Sequence, residues 1–165
     1  MSGGIRLGPC TEGSLEAKSP RFHRRKWDRL LASYIVHGSM HTPTIVVMQT
    51  SEGGQLICRL VLGFLGLVEG RDFVILSRSP TQKLFMPGMR QLFITGSFDG
   101  MDDGLVAEMV TRVRRYNPEL VVASFAAWHL DGDFDLRIKK IGGDPGKNLR
   151  NAVQGFLEGS VNRAH

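Results

Sequence analysis

Apolar residues in this chain fall into two patterns: short continuous runs, and stripes with the period of a helix. The runs are rich in β-branched residues and bounded by turn residues, which is typical of strands buried on both faces of a sheet. They cover residues 44–48, 73–76, 92–95 and 120–124, with a weaker run at 136–139. Strands that alternate with helices predict an α/β fold, a three-layer sandwich around a five-stranded, mostly parallel sheet.

The helical stripes within this region predict a helix after the first, third and fifth strands. The first begins at Ser51 and ends at Gly70, the second runs from Leu105 to Tyr116, and the third begins near Asp144. Their predicted inward faces are Leu56, Leu60, Val61, Phe64, Leu65 and Val68; then Leu105, Val106, Met109, Val110 and Val113; then Leu149, Val153, Phe156 and Leu157. On the second helix, three arginines fall largely on the opposite face: Arg112, Arg114 and Arg115.

The chain before the first strand has a different character. Residues 1–20 are rich in Gly, Ser and Pro and predict a flexible tail, whereas residues 21–40 predict a basic amphipathic helix. Residues 41–165 then form the α/β domain. The apolar stripe of the basic helix is Trp27, Leu30, Leu31, Tyr34 and Ile35, and its basic start is Arg21, Arg24, Arg25 and Lys26. Positive charge opposes the dipole at a helix N-terminus, which favours an anionic partner there.

Composition narrows the class of protein. The chain has 165 residues, of which 42% are hydrophobic and 22% are charged, and this composition excludes wholesale disorder. Its net charge of +5 does not by itself indicate that the protein binds nucleic acid. The two cysteines, Cys10 and Cys58, form no Cys-x-x-Cys pair, so we expect no zinc site or disulfide framework and a cytoplasmic location. The longest apolar stretch, residues 60–68, is too short to span a bilayer, so we expect no membrane partner.

In an open parallel sheet, the working crevice lies at the carboxyl ends of the strands. The residues that follow the predicted strands there are Gln49, Gly96, Ser124, Lys139 and Lys140. After the first strand, the pair Gly53-Gly54 predicts either helix N–H groups presented to an anion or simply a tight strand-to-helix turn. The pattern does not decide between these two interpretations.

One segment resembles the receiver domain of two-component response regulators: Leu92-Phe-Ile-Thr-Gly-Ser-Phe-Asp-Gly-Met-Asp-Asp-Gly104, followed by a helix and Asn117-Pro-Glu-Leu-Val-Val. The resemblance covers about residues 43–159 and implies a flavodoxin-like strand order, with Lys139 or Lys140 at the family's lysine position. It places Gly96 at the phosphorylated Asp, Gln49 among the acidic magnesium ligands and Ser124 at the family's hydroxyl position. Without carboxylates, phosphorylation by the receiver mechanism should fail.

Acidic side chains offer a competing chemistry. Asp99, Asp102 and Asp103 can either bind a divalent cation or cap the helix that follows, and capping is the favoured interpretation. Asp131 and Asp133, with Glu52, resemble the Toprim phosphoryl-transfer domain, which implies a magnesium-dependent enzyme using Glu52, Asp99, Asp131 and Asp133. A solvated acidic turn is the favoured alternative for that pair.

These observations lead to one main functional expectation and two alternatives. The main expectation is a non-catalytic, phosphorylation-independent receiver-like module for signalling or assembly, with no cofactor and with a protein partner or a second copy as its target. The expected contact residues are Arg24, Arg25, Trp27, Leu31, Tyr34, Arg112 and Arg115. The alternatives are the magnesium-dependent phosphoryl-transfer or nuclease enzyme and a nucleic-acid-binding module that uses the basic segment and the helix arginines.

Overall fold

A computed structural model describes residues 42–96, 103–127 and 129–162. The predicted tail, the basic helix, Asp99 and Asp102 lie outside these residues. Within them, the strands are β1 (Ile45–Met48), β2 (Phe73–Leu76), β3 (Leu92–Thr95), β4 (Val121–Ala126) and β5 (Leu136–Lys139). The helices are α1 (Glu52–Phe64), α2 (Asp103–Tyr116) and α3 (Pro145–Leu157), with a short 3-10 helix at Gln82–Leu84. All five predicted strands are confirmed, with small differences at the ends of β1 and β4.

The strands form one parallel sheet in the order β2-β1-β3-β4-β5, a flavodoxin-like arrangement. Every residue of β1, β3 and β4 is buried, as continuous apolar runs predict, whereas the edge strand β5 buries mainly Ile138. The register aligns Met48 with Leu76 on one side and with Thr95 on the other. The predicted α/β sandwich is therefore confirmed, and the sheet is parallel throughout.

Alternating side chains divide the core into two layers. One face of the sheet packs against α1 and α3, where Ile45, Val47 and Ile94 meet Cys58 and Phe156. The opposite face packs against α2 and the segment after the 3-10 helix. Its buried residues include Val46, Met48, Phe85, Phe93, Met109 and Val113.

Helix α1 turns a different side to the sheet from the one predicted. Its buried residues include Cys58 and Leu62, whereas Leu60 is 64% exposed and Phe64 79% exposed. Leu56 and Val68 are exposed as well, so most of the predicted inward face was wrong. The reason is that α1 is apolar on two sides, and a stripe alone does not say which side meets the sheet.

The end of α1 also differs from the prediction. The helix ends at Phe64 rather than at Gly70, because Gly66 takes a left-handed conformation with φ of 78°. The Leu65 N–H still donates to the Val61 carbonyl, and the Leu67 N–H donates to that of Leu62. The chain then turns back toward β2 without the further helical turn that the pattern predicts.

The other two helices agree better with their predicted faces. Four of the five predicted inward residues of α2 are buried, but Leu105 is exposed. On α3, Leu157 is exposed while the other three predicted residues are buried. Asp144 begins α3 as its cap, since its carboxylate accepts from the Lys147 N–H at 3.0 Å.

Arg114 is buried, although the pattern placed it with the solvent-facing arginines of α2. Its guanidinium donates to the carbonyls of Leu120 and Asp133 and to the Asp135 carboxylate, at 2.9 to 3.1 Å. The same carboxylate accepts from the Val122 N–H at 2.7 Å. Arg114 thus ties α2 to the connection between β4 and β5, whose described residues contain no helix.

Candidate functional site

The centre of the candidate site is Gln49, the residue directly after β1. Its backbone N–H donates to the Leu76 carbonyl at 2.9 Å, and its own carbonyl accepts from the Gln55 side chain at 2.7 Å. These bonds fix the backbone at the carboxyl edge of the sheet. Since side chains alternate along a strand, Gln49 points to the same face as Val47, the face covered by α1 and α3. The side chain is fully buried there.

Two glycines make room for the Gln49 carboxamide. A Cβ on Gly96, at the end of β3, would stand 2.3 Å from Nε2 and 2.6 Å from Oε1 of Gln49. A Cβ on Gly54, in the first turn of α1, would stand 2.7 Å from Oε1. Because non-bonded carbon contacts lie near 3.5 Å or more, both positions require glycine while Gln49 keeps this conformation. At Gly54 the structure thus gives a reason for glycine that neither interpretation of Gly53-Gly54 included, the close approach of the Gln49 side chain.

Lys140 supplies a positive charge to the same place. Its backbone N–H donates to the Ala126 carbonyl at 3.0 Å, which continues the β5 ladder by one residue. The half-buried side chain places Nζ 5.6 Å from the centroid of the Phe125 ring and 3.2 Å from the position of a Cβ on Gly54. The neighbouring Lys139 is exposed, so Lys140 is the lysine that lies beside Gln49.

Cys58 lies behind this group, one turn farther along α1. It is fully buried, like a small apolar side chain. Burial raises the pKa of its thiol to about 12, and the positive charge of Lys140 acts in the opposite direction. The thiol therefore stays protonated at neutral pH and is a poor nucleophile or metal ligand.

The Gln49 carboxamide has no hydrogen-bond partner on either of its two polar atoms among the described residues. A second buried glutamine, Gln91, shows what a satisfied amide looks like in this fold. Its Oε1 accepts from the Met86 N–H and the Asn117 side chain, and its Nε2 donates to the carbonyls of Pro43 and Leu84. Leaving a buried polar group unbonded costs about 1–3 kcal/mol. Gln49 is thus a costly choice for a residue that serves packing alone.

Ser124 does not join this group. In the sheet register Ser124 pairs with Thr95, the residue before Gly96. Val122 and Ala126, two residues to either side of Ser124 on β4, belong to the core on the α2 side. Side-chain alternation therefore turns Ser124 away from Gln49. Of the strand-end residues singled out in the sequence, the structure brings together Gln49, Gly96 and Lys140, and it separates Ser124 and Lys139 from them.

The carboxylates proposed for a metal site do not converge within the described residues. Glu52 is exposed in the first turn of α1, and Asp131 is exposed in the β4–β5 connection, 3.9 Å from His129. Asp133 pairs with Arg114 at 3.1 Å. Across 42–96, 103–127 and 129–162, no three His, Cys, Asp or Glu side chains are close enough to hold an ion together.

A second feature is the apolar stripe on the outer side of α1, formed by Leu56, Leu60 and Phe64. These side chains are spaced four residues apart and are 56%, 64% and 79% exposed. An open groove of about 300 Å³ runs beside the stripe, lined by Leu60, Val61, Phe64, Asp144, Gly146, Lys147 and Arg150. The helical period of Leu56, Leu60 and Phe64 is visible in the sequence, but it predicts a face buried in the core rather than an exposed surface.

Among the predicted contact residues, Arg112 and Arg115 are exposed on α2. The others, Arg24, Arg25, Trp27, Leu31 and Tyr34, lie outside the described residues. In the part of the chain that the structure covers, no helix has the length and apolarity needed to cross a bilayer.

Comparisons with known proteins add no family to this description. A scan of protein-family models and a search of curated proteins each return no match for this chain. The fold and the geometry of its residues are therefore the basis for the function proposed next.

Proposed function

We propose that this chain is a receiver-like module that acts without phosphorylation, by binding a protein partner on the outer surface of α1. The observation that carries the proposal is the exposed stripe of Leu56, Leu60 and Phe64. Burying a leucine side chain is worth about 1.5–3 kcal/mol, so three neighbouring apolar side chains left in water favour a covering partner.

The partner's chemistry follows from the groove beside the stripe. Lys147 and Arg150 line it, and neither forms an ion pair within the described residues. Asp144, also in the lining, is engaged as the cap of α3. The surface is thus apolar, with a basic edge that has no ion-pair partner in the described part of the chain. It suits an amphipathic helix whose apolar stripe is flanked by acidic residues.

The strand-end geometry supports the other half of the proposal, independence from phosphorylation. At the position where the receiver resemblance places the acceptor Asp, Gly96 leaves no room for a side chain against Gln49. Where the resemblance places an acidic magnesium ligand, Gln49 offers a neutral amide, whereas magnesium is held in proteins mainly by carboxylates. The order of the five strands is also the order that the resemblance implies.

A peptide-binding experiment tests the proposal. A synthetic helical peptide with leucines at every fourth position and flanking glutamates should bind the full chain. A peptide with lysines in place of the glutamates should bind at least tenfold more weakly. Leu60→Glu should weaken binding of the acidic peptide by about 10- to 100-fold, since it replaces a buried contact with a like charge.

Leu105→Glu is the matched control, because Leu105 is also an exposed leucine but lies on α2, across the sheet. It should leave the affinity within about twofold. Failure of the acidic peptide to bind, or equal losses in the two variants, would contradict the proposal. A dimer in sedimentation that Leu60→Glu dissociates would instead assign the surface to a second copy and overturn the choice of partner.

A further inference from the structure

An exposed glycine, Gly63, lies on the outer side of α1 next to the apolar stripe. We propose that Gly63 opens a hole in this surface that receives one leucine side chain of the acidic partner helix. This inference rests on the proposed function and deepens it, because it adds a requirement of shape to the requirements for apolar and acidic residues. Peptide binding that is insensitive to changes at Gly63 would remove the hole and leave the α1 surface in place.

The position of Gly63 along the helix is the first argument. When two helices pack closely, a side chain of one inserts as a knob into a hole formed by four residues of the other. The four corners of such a hole are positions i, i+3, i+4 and i+7, which are neighbours on a helix surface. On α1 the residues at this spacing are Leu56, Arg59, Leu60 and Gly63, and we call them the Gly63 hole.

The hole is open at its glycine corner. A Cβ placed on Gly63 would meet no atom within 4 Å, and this includes the atoms of the Arg59 side chain. Arg59 is engaged elsewhere, since its Nε donates to the Glu69 carboxylate at 3.1 Å. The space left by the missing side chain is therefore not filled by the described part of the chain.

Nothing in the described residues requires glycine at this position. Gly54 and Gly155 are helical too, but a Cβ on either would stand 2.7 or 3.1 Å from a side-chain oxygen. The left-handed residue that ends the helix is Gly66, not Gly63. Since glycine is the least favourable residue in a helix interior after proline, alanine would suit the helix better. We therefore assign the missing side chain at Gly63 to a contact with the partner.

The surroundings of the hole define the side chain that fits it. Leu56 and Leu60 make its walls apolar, and Leu60 also lines the groove that contains Lys147 and Arg150. A leucine from the partner would fill the volume that Gly63 leaves, whereas an alanine would leave part of it empty. The same partner helix could then place its glutamates over the groove. The partner is thus an acidic helix with one leucine that inserts at Gly63.

Larger apolar residues at Gly63 test the hole directly. The full chain is titrated with the acidic leucine peptide, and Gly63→Leu should weaken its binding at least about tenfold, because the new side chain occupies the hole. Gly63→Ala should produce a smaller loss in the same direction. A surface that is merely apolar predicts the opposite sign, since leucine adds apolar area. Unchanged or tighter binding by Gly63→Leu would overturn the inference.

Thr111→Leu is the matched control, because it places the same side chain on an exposed helical position of α2, across the sheet. It should leave the affinity within about twofold. The Gly63 variants should unfold at the same urea concentration as the wild-type chain or a higher one, so that weaker binding is not a loss of folding. Equal losses of affinity in Gly63→Leu and Thr111→Leu would refute the hole. Absence of peptide binding by the wild-type chain would reject the proposed function and the hole together.

Single alanine substitutions in the peptide identify the inserted leucine. One of them should weaken binding to the wild-type chain at least about tenfold but binding to Gly63→Leu less than about threefold, because the leucine is already displaced there. Such coupling is the signature of a knob in its hole. If every leucine of the peptide has the same effect with both chains, the inference is wrong.

Discussion

Gly96→Ala is the sharpest test of the strand-end geometry. The new methyl group would stand 2.3 Å from Gln49 Nε2 and 2.8 Å from Gln49 Cδ, well inside ordinary contact. Gln49 is fully buried, so its side chain has little free space to move into. Overpacking of this kind costs about 1–3 kcal/mol of folding free energy.

Urea unfolding followed by circular dichroism measures this cost. With a urea m-value of about 1–3 kcal/mol/M, the predicted loss lowers the midpoint by roughly 1 M. Gly53→Ala is the matched control, because Gly53 lies in the first turn of α1 and a Cβ placed on it would meet no atom within 4 Å. That substitution should leave stability unchanged or raise it by up to about 1 kcal/mol.

A double-mutant cycle shows whether Gln49 is the cause. In a Gln49→Ala background the obstructing carboxamide is absent, so Gly96→Ala should cost at least about 1 kcal/mol less than in the wild-type chain. Two results would refute the reasoning. One is a loss of unfolding free energy for Gly96→Ala that lies within about 0.5 kcal/mol of the value for Gly53→Ala, because ordinary surface substitutions have effects of that size. The other is an equal cost in both backgrounds.

Other consequences concern residues away from the glycine contacts. Because burial raises the pKa of Cys58 to about 12, a thiol reagent at a pH of about 8 should leave it unlabelled until the chain unfolds; rapid labelling seen by peptide mass mapping would contradict this. Asp135→Ala should cost about 3 kcal/mol in urea unfolding, because it removes the buried partner of Arg114, and a loss under about 1 kcal/mol would show the pair to be dispensable. The Arg71 side chain and the Val68 backbone N–H lower the pKa of Asp72 in the folded chain. The contribution of Asp72 to folding stability is therefore fully present above the pKa that this residue has in the unfolded chain. It is lost as the pH falls through the lower pKa of the folded chain. As the pH is lowered, the free energy of unfolding should therefore fall less in Asp72→Asn than in the wild-type chain. Parallel curves of unfolding free energy against pH for the two chains would argue against the contact between Arg71 and Asp72.

The sequence predicted the sheet well because four of the five strands are continuous apolar runs, and only the run at 136–139 is weaker. The runs at 73–76, 92–95 and 136–139 match β2, β3 and β5 residue for residue, since turn residues bound each of them. Continuous apolar character also predicted that β1 and β4 are buried on both faces. Alternation with helices predicted a mostly parallel sheet, and the structure shows that all of its strand pairs are parallel.

Helix α1 shows where such reasoning fails. Its residues are apolar at Leu56, Leu60 and Phe64 and again at Cys58 and Leu62, so two faces compete for the sheet. Only the tertiary structure decides that the second face packs inward. Arg114 misled for a related reason, because a charged residue is expected in solvent and is buried only when partners from distant segments meet it.

The candidate site was predictable in part. Strand order placed Gln49, Gly96 and Lys140 at one edge of the sheet, and the structure brings them together. Sequence could not show that the Gln49 amide is left unbonded, because that depends on the positions of atoms from several separate elements. It also could not separate Lys139 from Lys140, which requires knowing the side to which β5 turns each residue.

The intact mass of the full chain after incubation with acetyl phosphate and Mg²⁺ tests the central claim most directly. If the proposed function is right, with Gly96 where the receiver resemblance places the acceptor and Gln49 where it places a metal ligand, the mass should stay unchanged. A stable mass increase of one phosphoryl group would contradict the account.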